Sequence, residues 1–209
     1  MIMKKIVFIS ALLLSTVFLG AQTIQLPAPV KTGGKPLMEA LNQRHSTREF
    51  DTTRDLSKQM ISNLLWAAWG FNRENKRTAP SSMNKQEIDL YIALKDGIYL
   101  YDAKNNTLRL IVSGDYRKDA GMQPYVATAP VNIIYVCNKS RMNAKNENDL
   151  GATYTNSGFI AQNVYLFCAS ENLATVVRGS VNKENLGKIM HLTDDQIIIL
   201  AQTIGYPKK

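Results

Sequence analysis

One stretch limits the fold more than any other. From about Asn148 to Ser170 the sequence predicts a single long helix whose apolar residues do not keep to one side. Leu150, Tyr154, Ala161, Val164, Tyr165 and Cys168 fall on one stripe at helical spacing, and Phe159, Ile160 and Phe167 carry apolar surface beyond it. A helix of this kind has to be covered on several sides, in a core or at an oligomer interface. The chain must therefore supply other layers to cover it.

Those layers are legible. Asp89–Leu94, Ile98–Tyr101 and Thr107–Val112 read as strands separated by turns at Lys95-Asp96-Gly97 and Asn105-Asn106, which makes an antiparallel meander. Val131–Val136 reads as a strand buried on both faces. Leu173–Val177 and Gln196–Ile204 are further strands. Helices are expected over Leu37–Arg44, from the N-cap Ser57 to about Trp69 with Gly70 as the stop, around Lys118–Ala127, and over Lys183–Met190. The sum is an α+β fold, a mixed sheet packed by helices, and 209 residues suffice for one such domain.

The first 21 residues stand apart. Lys4 and Lys5 precede an apolar run from Ile6 to Leu19, and Leu19-Gly20-Ala21 offers a cleavage point before Gln22. That is the layout of a secretory signal peptide, with an uncleaved anchor as the alternative. The expectation is export to a periplasmic or extracellular space, with no stable membrane span after cleavage. Residues 22–36 read as a linker or extended arm, and 37–209 as the domain. Thr32-Gly33-Gly34-Lys35 lacks the preceding strand and following hydroxyl of a phosphate loop.

Charge and cysteine usage exclude several functions. The net charge is +8, but the basic residues are dispersed and interleaved with acidic ones, so no nucleic-acid surface is expected. Cys137 and Cys168 sit in apolar settings and read as buried free thiols. Two His and two Cys, scattered along the chain, draw no metal site.

Three polar segments remain. In Arg44-His45-Ser46-Thr47-Arg48-Glu49-Phe50 two arginines four residues apart flank two hydroxyls, a donor set suited to phosphate oxygens. Arg77 to Gln86 is a tight polar loop holding Pro80, Ser81, Ser82 and Asn84. Val176-Val177-Arg178-Gly179 ends a buried strand on a glycine, which permits close backbone approach. Taken singly, the first reads rather as a solvated surface loop and the second as a plain connecting loop.

Their order and spacing resemble the nitroreductase family of flavoenzymes. The family's opening Arg-x-Ser-x-Arg/Lys-x-Phe is matched by Arg44, Ser46, Arg48 and Phe50, and its aromatic-Ala-x-x-Gly helix end by the stretch Leu64 to Gly70. Its Pro-Ser-Ser loop is matched by Pro80, Ser81 and Ser82 with Asn84 and Gln86 nearby, its Gln-Asn helix by Gln162 and Asn163, and its closing Gly-Tyr-Pro by Gly205, Tyr206 and Pro207.

The resemblance implies a mainly antiparallel sheet packed by helices, with an FMN site at a homodimer interface. Arg44, His45, Ser46 and Arg48 would hold the phosphate, ribityl chain and pyrimidine edge of FMN. Pro80, Ser81 and Ser82, with Asn84 a weaker candidate, would approach from the partner subunit. Val177, Arg178 and Gly179 would line one ring face, with a backbone N–H near Arg178 or Gly179 close to the reactive nitrogen. No side chain is expected to be catalytic, since the flavin carries the chemistry. The implied activity is two-step reduction of small organic acceptors such as nitroaromatics or quinones, with NAD(P)H or a carrier as electron donor. A dehydrogenase acting on a peptide or other specialised substrate is the first alternative, and a non-catalytic exported flavin-binding protein the second.

Overall fold

The computed structural model describes residues 22–142 and 150–209, so the expected signal segment 1–21 lies outside the described residues. The segment 22–36 is docked rather than loose. Thr23–Gln25 forms β1, paired antiparallel with Thr107–Arg109 at the sheet edge. Lys35 Nζ then donates to Gln43 Oε1, to the Ala169 carbonyl and to Asn172 Oδ1, at 2.6, 3.0 and 2.6 Å. These contacts fasten the arm to the end of the long helix and occupy the lysine of the would-be phosphate loop.

Helix α1 (Leu37–Gln43) and helix α2 (Lys58–Trp69) follow. Ser57 caps α2 as expected, its Oγ accepting from Met60 N–H at 3.1 Å. Gly70 ends it for a different reason than left-handed backbone: its φ is −69°, and a Cβ there would lie 2.3 Å from the Trp66 ring. A short hairpin of β2 (Phe71–Arg73) and β3 (Lys76–Arg77) comes next. Then come β4 (Ile88–Leu94), β5 (Gly97–Asp102) and β6 (Thr107–Ser113), the predicted meander. The remaining elements are β7 (Val131–Asn138), α3 (Lys139–Met142), α4 (Gly151–Ser170), β8 (Ala174–Arg178), α5 (Lys183–Ile189) and β9 (Gln196–Gly205). The expected first residues of the long helix, 148 and 149, fall outside the described residues.

Seven strands form one sheet in the order β1-β6-β5-β4-β7-β9-β8, antiparallel at every neighbouring pair, so the expected mixed sheet is realised in its antiparallel part. Side chains alternate across it, as strand geometry requires. Leu90, Ile92, Ile133 and Tyr135 face the layer of α2 and α4, in the core with Leu64, Ile160 and Val164. Tyr91, Ala93, Ile134 and Val136 face the other layer, with Leu186 and Met190 of α5 and its neighbourhood. The sheet is therefore a middle layer, and α4 is covered by sheet and α2.

Two sequence expectations need correction. The helix expected over Lys118–Ala127 is two short 3-10 turns, Arg117–Ala120 and Pro124–Ala127, separated by extended Gly121 and limited by a proline that cannot continue a helix. Tyr154 leaves the buried stripe of α4 and is 53% exposed, with Phe159 at 44%. The strand β7 is buried on both faces as expected and includes the fully buried Asn132, its Oδ1 accepting from Thr203 Oγ1 and Arg178 while its Nδ2 donates to Val126 O.

Candidate active site

The chain leaves α1 at Arg44 in extended conformation and runs beside β8. Thr47 N–H donates to Thr175 O at 3.0 Å, and Asp51 N–H to Tyr206 O at 2.9 Å. Phe50 bridges Pro207 and is buried against Ala129, Ala174 and Val176. Gly205 is required here, because a Cβ would sit 2.8 Å from Pro130 and 3.1 Å from the Phe50 ring. Residues 44–48 are thus positioned by their main chain and by Phe50.

The side chains of this segment remain largely available. The Arg44 guanidinium lies over the Tyr165 ring at 5.3 Å. Neither Arg44 nor Arg48 has a carboxylate at ion-pair distance among the described residues, where the ion pairs are Arg117–Asp115, Arg141–Asp89 and Lys188–Glu184. His45 is exposed, and its Nδ1 lies 2.6 Å from Gln43 O. A carbonyl only accepts, so Nδ1 carries a proton and Nε2 is left without a protein partner among the described residues. Ser46 Oγ is 2.8 Å from the Tyr165 hydroxyl, and Val177 N–H donates to that same hydroxyl at 3.0 Å.

Beside them is a cavity of about 390 Å³ lined by Ala161, Gln162, Tyr165, Val177, Arg178 and Gly179, among others, a volume typical of small-ligand sites. A Cβ at Gly179 would meet nothing within 4 Å, so main chain is open to approach there. Arg178 departs from its expected role. Its guanidinium, 7% exposed in all, turns inward and donates through one terminal nitrogen to Ala120 O at 2.9 Å and Asn132 Oδ1 at 3.0 Å. Burial pushes this guanidinium down to about 10. Gly121 packs flat against it, since a Cβ there would lie 2.4 Å from Nε. Arg178 is left to serve the cavity through its backbone.

The loop of Pro80, Ser81, Ser82 and Asn84 lies elsewhere. Ser82 N–H donates to Asn156 Oδ1 at 3.3 Å. Asn156 and Tyr165 are nine residues apart on α4, so the two sets are separated by roughly 13 Å along the helix. Within one chain the structure unites Arg44, Ser46, Val177 and Gly179 around Tyr165, and it leaves Pro80–Asn84 at the other end of α4.

That loop is heavily cross-linked. Ser81 Oγ accepts from Gln86 N–H at 3.0 Å. Asn84 Nδ2 donates to Asn75 O at 3.2 Å, so this candidate is committed to the β2–β3 hairpin. Gln86 is gripped by Arg77 Nε at its side chain and by Arg141 at its carbonyl, both at 2.8 Å. Arg77 also donates to Trp69 O and stacks 4.0 Å above the Phe71 ring, and burial pushes its guanidinium down to about 10. Met83, Asn84 and Gln86 all adopt positive φ, at 48°, 55° and 50°. Asn156 Nδ2 donates to Glu87 Oε1 at 2.8 Å, and Glu87 is 0% exposed.

Sequence reasoning missed Tyr165, Asn156 and Glu87 as parts of the site. Tyr165 read as one more member of an apolar stripe, and nothing in local spacing announced its partners 119 and 12 residues away. The thiols behave as expected: Cys137 and Cys168 are buried and free, and burial pushes both upward. No metal-binding cluster exists among the described residues.

Comparison with known proteins adds to this geometry. The pattern describing the Nitroreductase family matches residues 41–206. A candidate nitroreductase of Methanocaldococcus jannaschii is 25% identical over 177 residues, covering 78% of this chain and 88% of that one. The crystal structure of a candidate nitroreductase from Ralstonia eutropha JMP134 is 41% identical, covers 90% of each chain and superposes with a TM-score of 0.83. A further candidate nitroreductase structure, from Anabaena variabilis, shares the fold at 19% identity and a TM-score of 0.76, over 90% of this chain and 42% of that one.

Proposed function

The chain belongs to the nitroreductase family of oxidoreductases, and from that premise we propose that it is an FMN-dependent enzyme reducing small organic acceptors, such as nitroaromatics or quinones, in two half-reactions. The observation that carries the reading is the Arg44–Arg48 segment: two arginines without carboxylate partners and a serine, held by main-chain rungs beside a cavity with an open glycine. This donor set fits a ligand with a phosphate at one end and a flat, acceptor-rich ring at the other. When bound, FMN supplies the two-electron chemistry. The residues bind and orient it: Arg44 and Arg48 by charge, Ser46 by hydrogen bonding, Val177 and the Arg178–Gly179 backbone by contact.

The second set, Pro80, Ser81 and Ser82, joins this site in a homodimer. Support comes from the separation of the two sets along α4 and from the apolar side chains the chain leaves exposed, Leu37, Met38 and Leu41 of α1 and Tyr154 and Phe159 of α4. Gly151 and Gly158 on the same helix have open space at Cβ, which suits close helix approach. Residues 1–21 would export the chain. Among the described residues no helix is long and apolar enough to cross a membrane. Outside the cytoplasm a protein or quinol-type carrier is the expected electron donor, and NAD(P)H inside it.

The test begins with protein starting at Gln22, loaded with FMN and desalted. The expected result is retained flavin absorbance at about one FMN per chain, bleached by a reductant and restored by a nitroaromatic or quinone. Arg44→Ala and Arg48→Ala should each weaken FMN by about 1.5–3 kcal/mol, with thermal stability unchanged. A colourless protein that retains neither FMN, FAD nor riboflavin refutes the proposal.

A further inference from the structure

Strand β8 is the last strand of the sheet, so its outward N–H and C=O groups need partners from outside the sheet. Thr175 O finds one in Thr47 N–H. Val177 N–H is the next outward donor, and its partner is a side chain from a different layer, the hydroxyl of Tyr165 on α4, at 3.0 Å. That hydroxyl also lies 2.8 Å from Ser46 Oγ.

The direction of this chain follows from its first link. A backbone N–H can only donate, so the Tyr165 oxygen accepts from Val177. Tyr165 is 8% exposed, and if its oxygen accepted from Ser46 as well, the phenol proton would be left without a protein partner in a largely dry site. The arrangement that satisfies each group has Tyr165 donating to Ser46 Oγ. The Ser46 O–H is then free to point away from the protein, and Ser46 itself is exposed. The Arg44 guanidinium over the Tyr165 ring, at 5.3 Å, helps hold that ring in place.

We infer that Tyr165 is a positioning residue that turns the Ser46 hydroxyl outward as a hydrogen-bond donor to the cofactor. The ordered series Val177 N–H to Tyr165 O, Tyr165 O–H to Ser46 Oγ, and Ser46 O–H to the ligand favours an acceptor oxygen at that point of the ligand, a phosphate or carbonyl oxygen. A ligand presenting an N–H or O–H donor there would leave the Ser46 proton without a partner on the ligand, and is bound less well. The inference rests on the flavin reading above, and it assigns a role to a residue outside the arginine–serine segment.

A double-mutant cycle on FMN affinity tests it. The dissociation constant is measured by flavin fluorescence quenching for the wild type, Tyr165→Phe, Ser46→Ala and the double variant, alongside the melting temperature of each apoprotein. Each single change is expected to weaken FMN roughly tenfold, and the double variant no more than the weaker single one, because both changes remove the same directed donor. Ser46→Thr, which retains the hydroxyl at an exposed position, is expected to hold FMN within a fewfold of wild type. Unchanged affinity in Tyr165→Phe overturns the relay. So do multiplicative losses in the double variant, the result expected if Tyr165 acts on the ligand or on the fold independently of Ser46. Should Tyr165→Phe not fold, a tenfold loss in both Ser46→Thr and Ser46→Ala overturns the donor role by itself. A wild-type protein that binds no flavin defeats the functional reading instead, so the two failures are distinct.

Discussion

The two polar segments that meet α4 near its opposite ends are built in opposite ways. Arg44–Arg48 is fixed by its main chain, with Thr47 and Asp51 bonded to Thr175 and Tyr206, and its charged ends are left without carboxylate partners. Pro80–Gln86 is fixed by side chains, with Ser81, Asn84 and Gln86 all bonded within the protein and three residues held at positive φ. The first spends few side chains on its own shape and so presents chemistry. The second spends most of its side chains on shape and so presents a backbone contour. A residue's type alone does not distinguish these uses, because serine occurs in both.

The comparison breaks most visibly at Asn156, which ties the second segment down. It is 2% exposed, receives the Ser82 N–H and donates to the buried Glu87 carboxyl. Asn156→Leu removes both bonds and leaves the Glu87 side chain buried without that donor. A loss of about 3 kcal/mol is expected, read as a shift in the urea midpoint at unchanged slope. The corresponding removals in the first segment, Arg44→Ala and Arg48→Ala, should leave the midpoint in place. Equal stability losses at both ends would erase the contrast.

A pH dependence is expected from Tyr101, which lies near the Arg77 that grips Gln86 of the second segment. Burial pushes the Tyr101 phenol up to about 12 from an ordinary 10, against the opposing pull of the nearby Arg77 cation. The folded state therefore holds this proton to higher pH than the unfolded chain. Stability from this group is complete below pH 10 and is lost as pH climbs from 10 towards 12, by up to about 2–3 kcal/mol. Tyr99, also pushed up to about 12 by burial, adds a similar slope, so Tyr101→Phe should flatten the alkaline limb only in part. An unchanged limb in denaturant titrations at pH 9 to 11.5 would show that Tyr101 ionises while the fold remains intact.

What the sequence made legible follows the same division. Apolar strand-like runs and the short Lys95-Asp96-Gly97 turn disclosed the meander, because strand pairing there is local. The Ser57 cap was readable for the same reason, its partner being three residues away. Gly205 was readable only as part of a family pattern, since its physical reason is contact with Phe50 and Pro130, distant in sequence. Asn132 and Arg178 were not readable as a buried pair: strand spacing gives a face, and cannot say that β9 lies between two residues that bond across it. Likewise the stripe on α4 located Tyr165 correctly as buried and gave no sign that its hydroxyl joins Ser46 to Val177, whereas Tyr154, on the same predicted stripe, faces outward. The Arg44–Arg48 segment stood out only through its place in the family pattern, its residue types alone fitting a surface loop as well. The shape of Pro80–Gln86 was not readable, because it depends on Arg77, Arg141 and Asn156 arriving from three other elements.

Ser81 and Ser82 give the smallest effect and the sharpest division, since they are adjacent, identical in type and differently employed. Ser81 Oγ is taken by Gln86 N–H, which helps hold Gln86 at its positive φ. Ser82 is exposed and bonds through its backbone to Asn156, with its hydroxyl in no bond among the described residues. Ser81→Ala should therefore cost about 1 kcal/mol of stability, and Ser82→Ala close to nothing. FMN affinity should move the other way: Ser82→Ala weakens it directly by the loss of a free hydroxyl, while Ser81→Ala acts only as far as the loop relaxes. The two are separable by measuring urea midpoints and FMN dissociation constants on the same samples. If Ser82→Ala destabilises as much as Ser81→Ala and both bind FMN like the wild type, the loop is purely structural, and the partner half of the proposed site must be sought elsewhere on the surface around α4.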